Sequence, residues 1–276
     1  MIVTETRRCK AVVLDRDPGS RYAARRMGLG RELRAAVGCL TALGPPADAP
    51  RDVLAGGLAF YPVVGLAVGG VAAAVASAVG LVSVRAAGPA GVLALAAVSG
   101  GRGSRALAAT TALLGRGSPA ARLAALRGST APVGLVLAAA VLALRAVAAA
   151  VLPAPARTTG LLLAPMLGAW AIVVQCYGGT PAHARGVAAA LVGRARFREF
   201  GWASVVALGV TLATGEAIGL VVVLAASLTT VGIRVFAHRR IGGLTGRLLW
   251  ATRELVETAV LGILALVAGI LGTRIS

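Results

Sequence analysis

Long uncharged runs separated by short arginine-rich segments dominate the pattern of apolar and polar positions along this chain. Between Asp52 and Arg85 lie 32 residues without a charge, and between Arg157 and His183 lie 25. A helix crosses a hydrocarbon core with roughly 17–25 mostly apolar residues and satisfies its own backbone hydrogen bonds in lipid. Both runs meet that length. Shorter runs at 86–101, 131–153 (interrupted by Arg145), 200–215, 217–233 and 257–272 supply further candidates. The pattern predicts an all-α integral membrane protein, a polytopic bundle of about six to seven transmembrane helices. The 16-residue runs could be re-entrant, which is why the count stays at six or seven.

The front of the chain has a different texture. Residues 1–32 read as a polar, Arg-rich extension whose first 26 residues have the composition of a disordered segment, and residues 33–276 read as the membrane domain. No apolar stretch followed by a small-residue cleavage site occurs in the first 50 residues, so a cleavable signal peptide is not expected. Met27 opens a segment that would serve as a start by itself. Removing residues 1–26 is expected to leave membrane insertion intact.

Composition sharpens this picture. The chain has 276 residues, 58% hydrophobic and 14% charged, an apolar excess beyond that of ordinary soluble domains. Of its 28 basic residues only Lys10 is not arginine, against 10 acids, for a formal charge of +18. From Val53 to Arg198 there is no carboxylate, which excludes a mechanism built on acids in the middle of the chain. Cys9, Cys39 and Cys176 are too few for a disulfide framework or a thiolate metal site. His183 and His238 are the only histidines, and their basic flanks suggest solvated loop residues.

Basic residues also orient the chain. With a cytoplasmic N-terminus and seven crossings, 24 cations fall inside and three outside, a strong positive-inside bias. The charge therefore reads as topology. Nucleic acid is excluded as a partner, because aromatic platforms are too sparse. Within the spans, Gly65 and Gly69 stand four apart, a spacing that lets helices approach closely or reflects generic packing in an Ala-rich sequence. Arg145 interrupts a span at a cost of about 2.5–3.5 kcal/mol on insertion scales. With no acid nearby in sequence, snorkelling is the expected explanation, and a buried anion contact the alternative.

Three stretches rise above composition: Leu58-Ala-Phe60-Tyr61-Pro62-Val-Val-Gly65; Ser99-Gly100-Gly101 with Leu107-Ala108-Ala109-Thr110 and Arg127-Gly128-Ser129; and Gly242-Gly243-Leu-Thr245-Gly246-Arg247 running on to Glu254 and Glu257. In this order they resemble cobalamin synthase, the adenosylcobinamide-GDP ribazoletransferase family, from about residue 33 to the C-terminus. Cys39-Leu-Thr-Ala-Leu-Gly-Pro45-Pro46, Ala164-Pro165 and Ala184-Arg185 add to the likeness. The resemblance implies a protein of the bacterial inner membrane. It further implies the last assembly step of the vitamin B12 nucleotide loop, in which an α-ribazole displaces GMP from adenosylcobinamide-GDP. The family performs this with Mg²⁺ held by an Asp-rich signature.

Here the departure from the family is severe. In the gapless register Gly103 and Ser104 take the His-Leu places, and Arg105, Ala109 and Ala112 take the three Asp places. Gly128 and Arg247 replace two further acids, while Glu254 and Glu257 persist. Replacing a carboxylate by alanine removes an oxygen ligand, and replacing it by arginine reverses the local charge, which hard Mg²⁺ does not tolerate. No catalytic residue is expected to be intact, and no metal ligand or cofactor is expected at this site.

The candidate substrate- or phosphate-binding residues are Arg105, Thr110, Arg127, Ser129, Arg185, Thr245, Gly246 and Arg247. Arg105, Arg127 and Arg247 read either as a bidentate anion clamp or as basic loop decoration. Thr110, Thr245 and Gly246 are expected to shape turns near the site. Glu254 and Glu257, three apart on one helix face, read either as a polar site at the cytoplasmic mouth or as partners of Arg247 or Arg253. Three functions stay open: a synthase with impaired activity, a pseudoenzyme that binds corrinoid or nucleotide as a homo- or hetero-oligomer partner, and a carrier for an anionic metabolite. No paired half-repeats support the carrier.

Overall fold

The computed structural model describes residues 18–272 except 47, 116, 129, 184 and 185. The expectation of disorder for residues 1–26 lies largely outside this range. Among the described residues there is no β-strand, only a bridge between Pro181 and Leu244. The elements in order are α1 (Pro18–Leu40), α2 (Arg51–Gly56), a 3-10 turn (Gly57–Phe60), α3 (Tyr61–Gly80), α4 (Val84–Val98), α5 (Arg102–Thr110), a second 3-10 turn (Thr111–Leu114), α6 (Pro119–Arg127), α7 (Pro132–Val151), α8 (Ala154–Cys176), α9 (Val187–Leu191), α10 (Phe197–Ile241) and α11 (Gly246–Gly272).

At the centre stands α8, the most enclosed of the long apolar helices. α3 crosses it antiparallel through Gly65 and Gly69. A Cβ at Gly65 would lie 2.5 Å from the Pro165 carbonyl oxygen, and one at Gly69 2.6 Å from that of Leu161. The two glycines therefore sit at a specific helix–helix contact, where any side chain would push the backbones apart. α11 packs on α8 from another side, with Leu261 and Leu264 against Gly160.

α10 needs a separate account, because its 45 residues form a hairpin. The Phe200 ring stacks on Tyr177 at 4.5 Å between centroids, and Arg234 donates to the Tyr177 carbonyl at 2.6 Å. A straight helix would hold these two residues roughly 50 Å apart at 1.5 Å per residue. The fold-back point shows at Gly219, where a Cβ would stand 2.6 Å from the Thr211 carbonyl oxygen. Trp170 of α8 donates to Ser204 on the first arm at 3.1 Å, and Gln175 donates to the Thr230 carbonyl on the second at 3.0 Å. The two runs read from the sequence as 200–215 and 217–233 are thus the arms of one folded helix.

The chain is a multi-pass α-helical membrane protein. Four described helical segments are long and apolar enough to cross a bilayer: Arg51–Gly80, Pro132–Val151, Ala154–Cys176 and Ile218–Ile241. A fifth is counted if Val84–Val98 and Arg102–Leu114, bent by 84°, form one broken span. The six to seven spans expected from the sequence also included the first arm of α10 and α11. Both pack in the same bundle, but α11 carries Arg247, Arg253, Glu254 and Glu257 in its first half.

Two ends of the bundle are distinct. At one end lie the α3–α4 and α7–α8 connections, where Arg157 donates to the Val84 carbonyl at 3.2 Å. At the other end α5, α6 and the 177–193 segment form a cap. Gly100 and Gly101, with φ of 63° and 64°, adopt the left-handed backbone that turns the chain from α4 into α5.

Candidate functional site

A cleft of about 550 Å³ opens at the capped end. Its walls come from four parts of the chain: α5 (Arg102, Arg105, Ala106), the end of α6 (Leu126, Arg127), the 183–188 segment and the start of α11 (Thr245, Gly246, Arg247, Trp250). Thr245 fixes that last wall, its hydroxyl accepting the Leu248 backbone N–H at 3.3 Å in the manner of an N-cap. Gly242 ends α10 in the left-handed conformation, and the 180–182 and 243–245 backbones then run side by side, bonded Ala182 to Leu244 at 2.8 Å and Leu244 to Thr180 at 2.9 Å.

Four guanidinium groups line this cleft, and none of its described lining residues is acidic. Arg102 donates to the carbonyls of Gly38 and Ala42, each at 3.3 Å, and its guanidinium lies 5.7 Å from the centre of the Trp250 ring. Arg105 is exposed and donates to the Gly100 carbonyl at 2.8 Å. Arg247 donates to the Leu126 carbonyl. Exposed Arg127 has no hydrogen-bond or ion-pair partner among the described residues. Each backbone contact leaves other N–H donors of the same five-donor fork available.

Histidine placement differs from the expectation of solvated loop positions. His183 is half-buried in the cleft wall, its Nδ1 buried and without a hydrogen-bond partner among the described residues. His238 sits in the last turn of α10, its Nδ1 2.9 Å from the Arg234 carbonyl oxygen and its Nε2 3.0 Å from the Thr180 hydroxyl. A carbonyl can only accept, so in the neutral ring Nδ1 donates and Nε2 accepts. His238 thereby ties the segment bearing His183 to the helix behind it.

Two cavities adjoin the cleft. A narrower lobe of about 210 Å³ shares Arg102, Gly246 and Trp250 with it and is otherwise mainly apolar, with Cys39, Leu40, Tyr61, Ile172, Leu191 and Leu249. Burial pushes the Cys39 thiol up from its ordinary pKa, so it serves as apolar wall and not as a nucleophile. A second cavity of about 400 Å³ shares Thr130 with the cleft and is lined by Ala109, Ala112 and Gly128 among others. The five positions registered with the family's acids therefore gather in space: Arg105 and Arg247 in the cleft, Ala109, Ala112 and Gly128 in the cavity beside it. Thr110 lines neither, and its hydroxyl donates back to the Leu107 carbonyl at 2.6 Å. Ser129 and Arg185 lie outside the described residues.

Glu254 and Glu257 are not at the mouth, and neither pairs with Arg247. Both are buried, at 6% and 3% exposure, behind Trp250. Their partner is Arg145 of α7, itself 1% exposed, whose two terminal nitrogens donate one to each carboxylate. Arg253 donates to Glu257 at 2.6 Å and to the Leu40 carbonyl at 3.0 Å, with its guanidinium 5.3 Å from the Trp250 ring centre. Snorkelling of Arg145 is thereby overturned. A buried guanidinium with two carboxylates in reach is satisfied by them, since an unpaired charge in lipid or protein interior costs several kcal/mol. The alternative pairing of the glutamates with Arg253 holds for Glu257.

Sequence reasoning missed two residues, Arg102 and Trp250, and for Arg145 it set the buried anion contact second to snorkelling. The signal for Arg145 was available, because a lone cation within a span demands a partner wherever the fold can supply one.

Metal chemistry can be tested on this donor set. Mg²⁺ requires an octahedron of oxygen donors, normally with one or two free carboxylates. The described lining of the cleft offers guanidiniums, that of the cavity beside it is mainly alanine with two threonines, and the Glu254 and Glu257 carboxylates behind Trp250 are already ion-paired. Among the described residues no group of three or more His, Cys, Asp or Glu side chains is placed to hold a metal ion. The residues present do not fit a divalent ion.

The fold and cleft together define a class: a multi-pass helical membrane protein with a polycationic cleft at one end of its bundle. Within that class the chain belongs to the cobalamin-5-phosphate synthase family, whose model it matches over residues 32–265. Comparison with curated proteins and with solved structures gave no match.

Proposed function

We propose that this chain is a cobalamin synthase family protein that has lost Mg²⁺-dependent transfer and retains recognition of a phosphate-bearing ligand of that reaction, a corrinoid or a nucleotide. One observation carries the reading: among the described residues the charged side chains lining the cleft are guanidiniums, while the Glu254 and Glu257 carboxylates behind Trp250 are spent on buried arginines. Guanidiniums bind phosphate oxygens in a bidentate fork and supply geometry as well as charge. Arg105, Arg127 and Arg247 act as the clamp, Arg102 joins them, and Trp250 offers a flat apolar surface beside it. Transfer in this class of reaction needs neutralised phosphates together with a positioned nucleophile. The cleft supplies the first and lacks a carboxylate base for the second. Ser129 and Arg185 remain candidate contacts of the same ligand.

The cleft end faces the cytoplasm of a bacterial inner membrane, N-terminus inside, in this reading. Arg102, Arg105, Arg122, Arg127, Arg194, Arg239, Arg240 and Arg247 belong to segments at that end, against Arg85 and Arg157 at the other, which agrees with the positive-inside bias. Such a binding member would act beside a second subunit, as homo- or hetero-oligomer.

Purified protein supplied with adenosylcobinamide-GDP and α-ribazole, with and without Mg²⁺, provides the test. The expected result is no GMP release in either condition and no restoration of B12 synthesis in a strain lacking the synthase. Robust Mg²⁺-dependent release would overturn the proposal.

A further inference from the structure

Apart from the cleft and its neighbouring cavities, a groove of about 480 Å³ lies between α1, the first 3-10 turn, the start of α3 and the first arm of α10. Its walls are mainly apolar, built from Leu29, Phe60, Val63, Trp202 and Val206 among others. Phe60 and Val63 stand near the beginning of the Arg51–Gly80 segment, which is long and apolar enough to cross a bilayer. The groove therefore meets the membrane near one of its surfaces, at the depth of the lipid headgroups. Leu29, Val63 and Trp202 are exposed there, and a tryptophan ring suits that depth, with an apolar body and an N–H that prefers water.

Two charged residues line the groove, Glu32 and Arg198. Glu32 is half-buried, its carboxylate against Gly56, where a Cβ would fall 2.5 Å from Oε1. In a chain with 28 basic residues and 10 acids, this carboxylate has no ion pair or hydrogen bond among the described residues. A carboxylate partly withdrawn from water beside apolar walls gains from any cation that reaches it. Arg198 is exposed and donates through Nε and Nη2 to Glu199, at 3.0 and 2.8 Å, while its Nη1 has no partner among the described residues.

We propose that this groove holds one membrane phospholipid with a primary ammonium headgroup, phosphatidylethanolamine. Its ammonium meets Glu32, its phosphate meets Arg198, and its acyl chains run along Phe60, Val63, Trp202 and Val206. The distribution of charge selects this class. Glu32 is unpaired, whereas the charge of Arg198 is already shared with Glu199, so a headgroup without an ammonium meets a net negative lining. Exposed Arg31 and Arg34 draw anionic lipid to the surface nearby but do not line the groove. A quaternary ammonium brings the positive charge and no N–H for the carboxylate, while a primary ammonium brings the charge and three donors. The inference is independent of what binds in the cleft, since the two sites share no lining residue.

Full-length protein in nanodiscs of equal parts phosphatidylethanolamine, phosphatidylcholine and phosphatidylglycerol provides the test, with the retained lipid identified by native mass spectrometry. Wild type is expected to keep one phosphatidylethanolamine per chain, about tenfold over either other lipid, the scale of one charge-assisted hydrogen bond. Glu32→Gln is expected to bring phosphatidylethanolamine down to the level of phosphatidylcholine. Arg198→Ala is expected to lower retention of both, because both carry the phosphate. Arg105→Ala, in the cleft, is expected to match wild type. Equal retention of the three lipids by wild type, a preference for phosphatidylglycerol, or an ethanolamine preference that survives Glu32→Gln would overturn the inference.

Discussion

Arginines on the two sides of Trp250 live in opposite circumstances. In the cleft, Arg105, Arg127 and Arg247 are exposed, and their contacts among the described residues are at most to backbone carbonyls. Behind Trp250, Arg145 and Arg253 are buried and matched to Glu254 and Glu257. Burial decides what each group can do. A guanidinium in water has few electrostatic obligations and is free to meet an incoming anion, whereas one without water must be paired within the fold. The first set is therefore suited to ligand recognition and the second to holding α7 and α11 together.

Breaking the buried side should have the largest effect. Glu257→Ala removes the carboxylate that contacts both Arg145 and Arg253 and leaves surplus positive charge in the interior. It should lower stability by about 3–5 kcal/mol, read from denaturant titration in detergent. A loss under 1 kcal/mol would mean that water reaches the cluster. Gly103→Ala comes next. Its methyl group would displace the Glu254 carboxylate, and overpacking of this kind costs about 1–3 kcal/mol, visible as a lowered melting temperature. Because α5 also forms the cleft wall, this variant tests whether the two regions are mechanically coupled.

Smallest in stability, and sharpest for the comparison, is the pair Arg105→Ala and Arg127→Ala. Each should change stability by no more than about 0.5 kcal/mol, as exposed substitutions do. Each should weaken binding of GDP by about tenfold or more, the loss of one charge-assisted hydrogen bond worth about 1.5–3 kcal/mol. If either variant lowers stability by several kcal/mol while the folded protein binds GDP as wild type does, the assignment of roles to the two regions is reversed.

Most of the helical architecture was legible as the lengths of uncharged runs, because lipid imposes helix on any apolar segment that crosses it. The hairpin of α10 was legible as two runs divided near Glu216. The contact made by Gly65 and Gly69 was legible in its spacing, and only the partner, α8, was not. Arg105, Arg127 and Arg247 could be singled out because the family register aligns them with functional positions, although nothing in their local sequence says that they meet. Arg145 shows why the rest was hidden. Its partners lie 109 and 112 residues away, and a pairing that distant exists only once α7 and α11 are packed. For Glu254 and Glu257 the sequence left a site at the mouth and pairing with Arg247 or Arg253 both open, and only the packed helices select the pairing of Glu257 with Arg253. Thr110 fails for a local reason, since its hydroxyl satisfies the helix behind it.

The central claim is that guanidiniums alone, without a metal ion, receive the phosphate groups in this cleft. Calorimetric titration of GDP into the purified wild-type protein, first in EDTA and then in excess Mg²⁺, tests it most directly. The account predicts binding in EDTA with an affinity that Mg²⁺ does not improve. Binding that appears only when Mg²⁺ is added would contradict it.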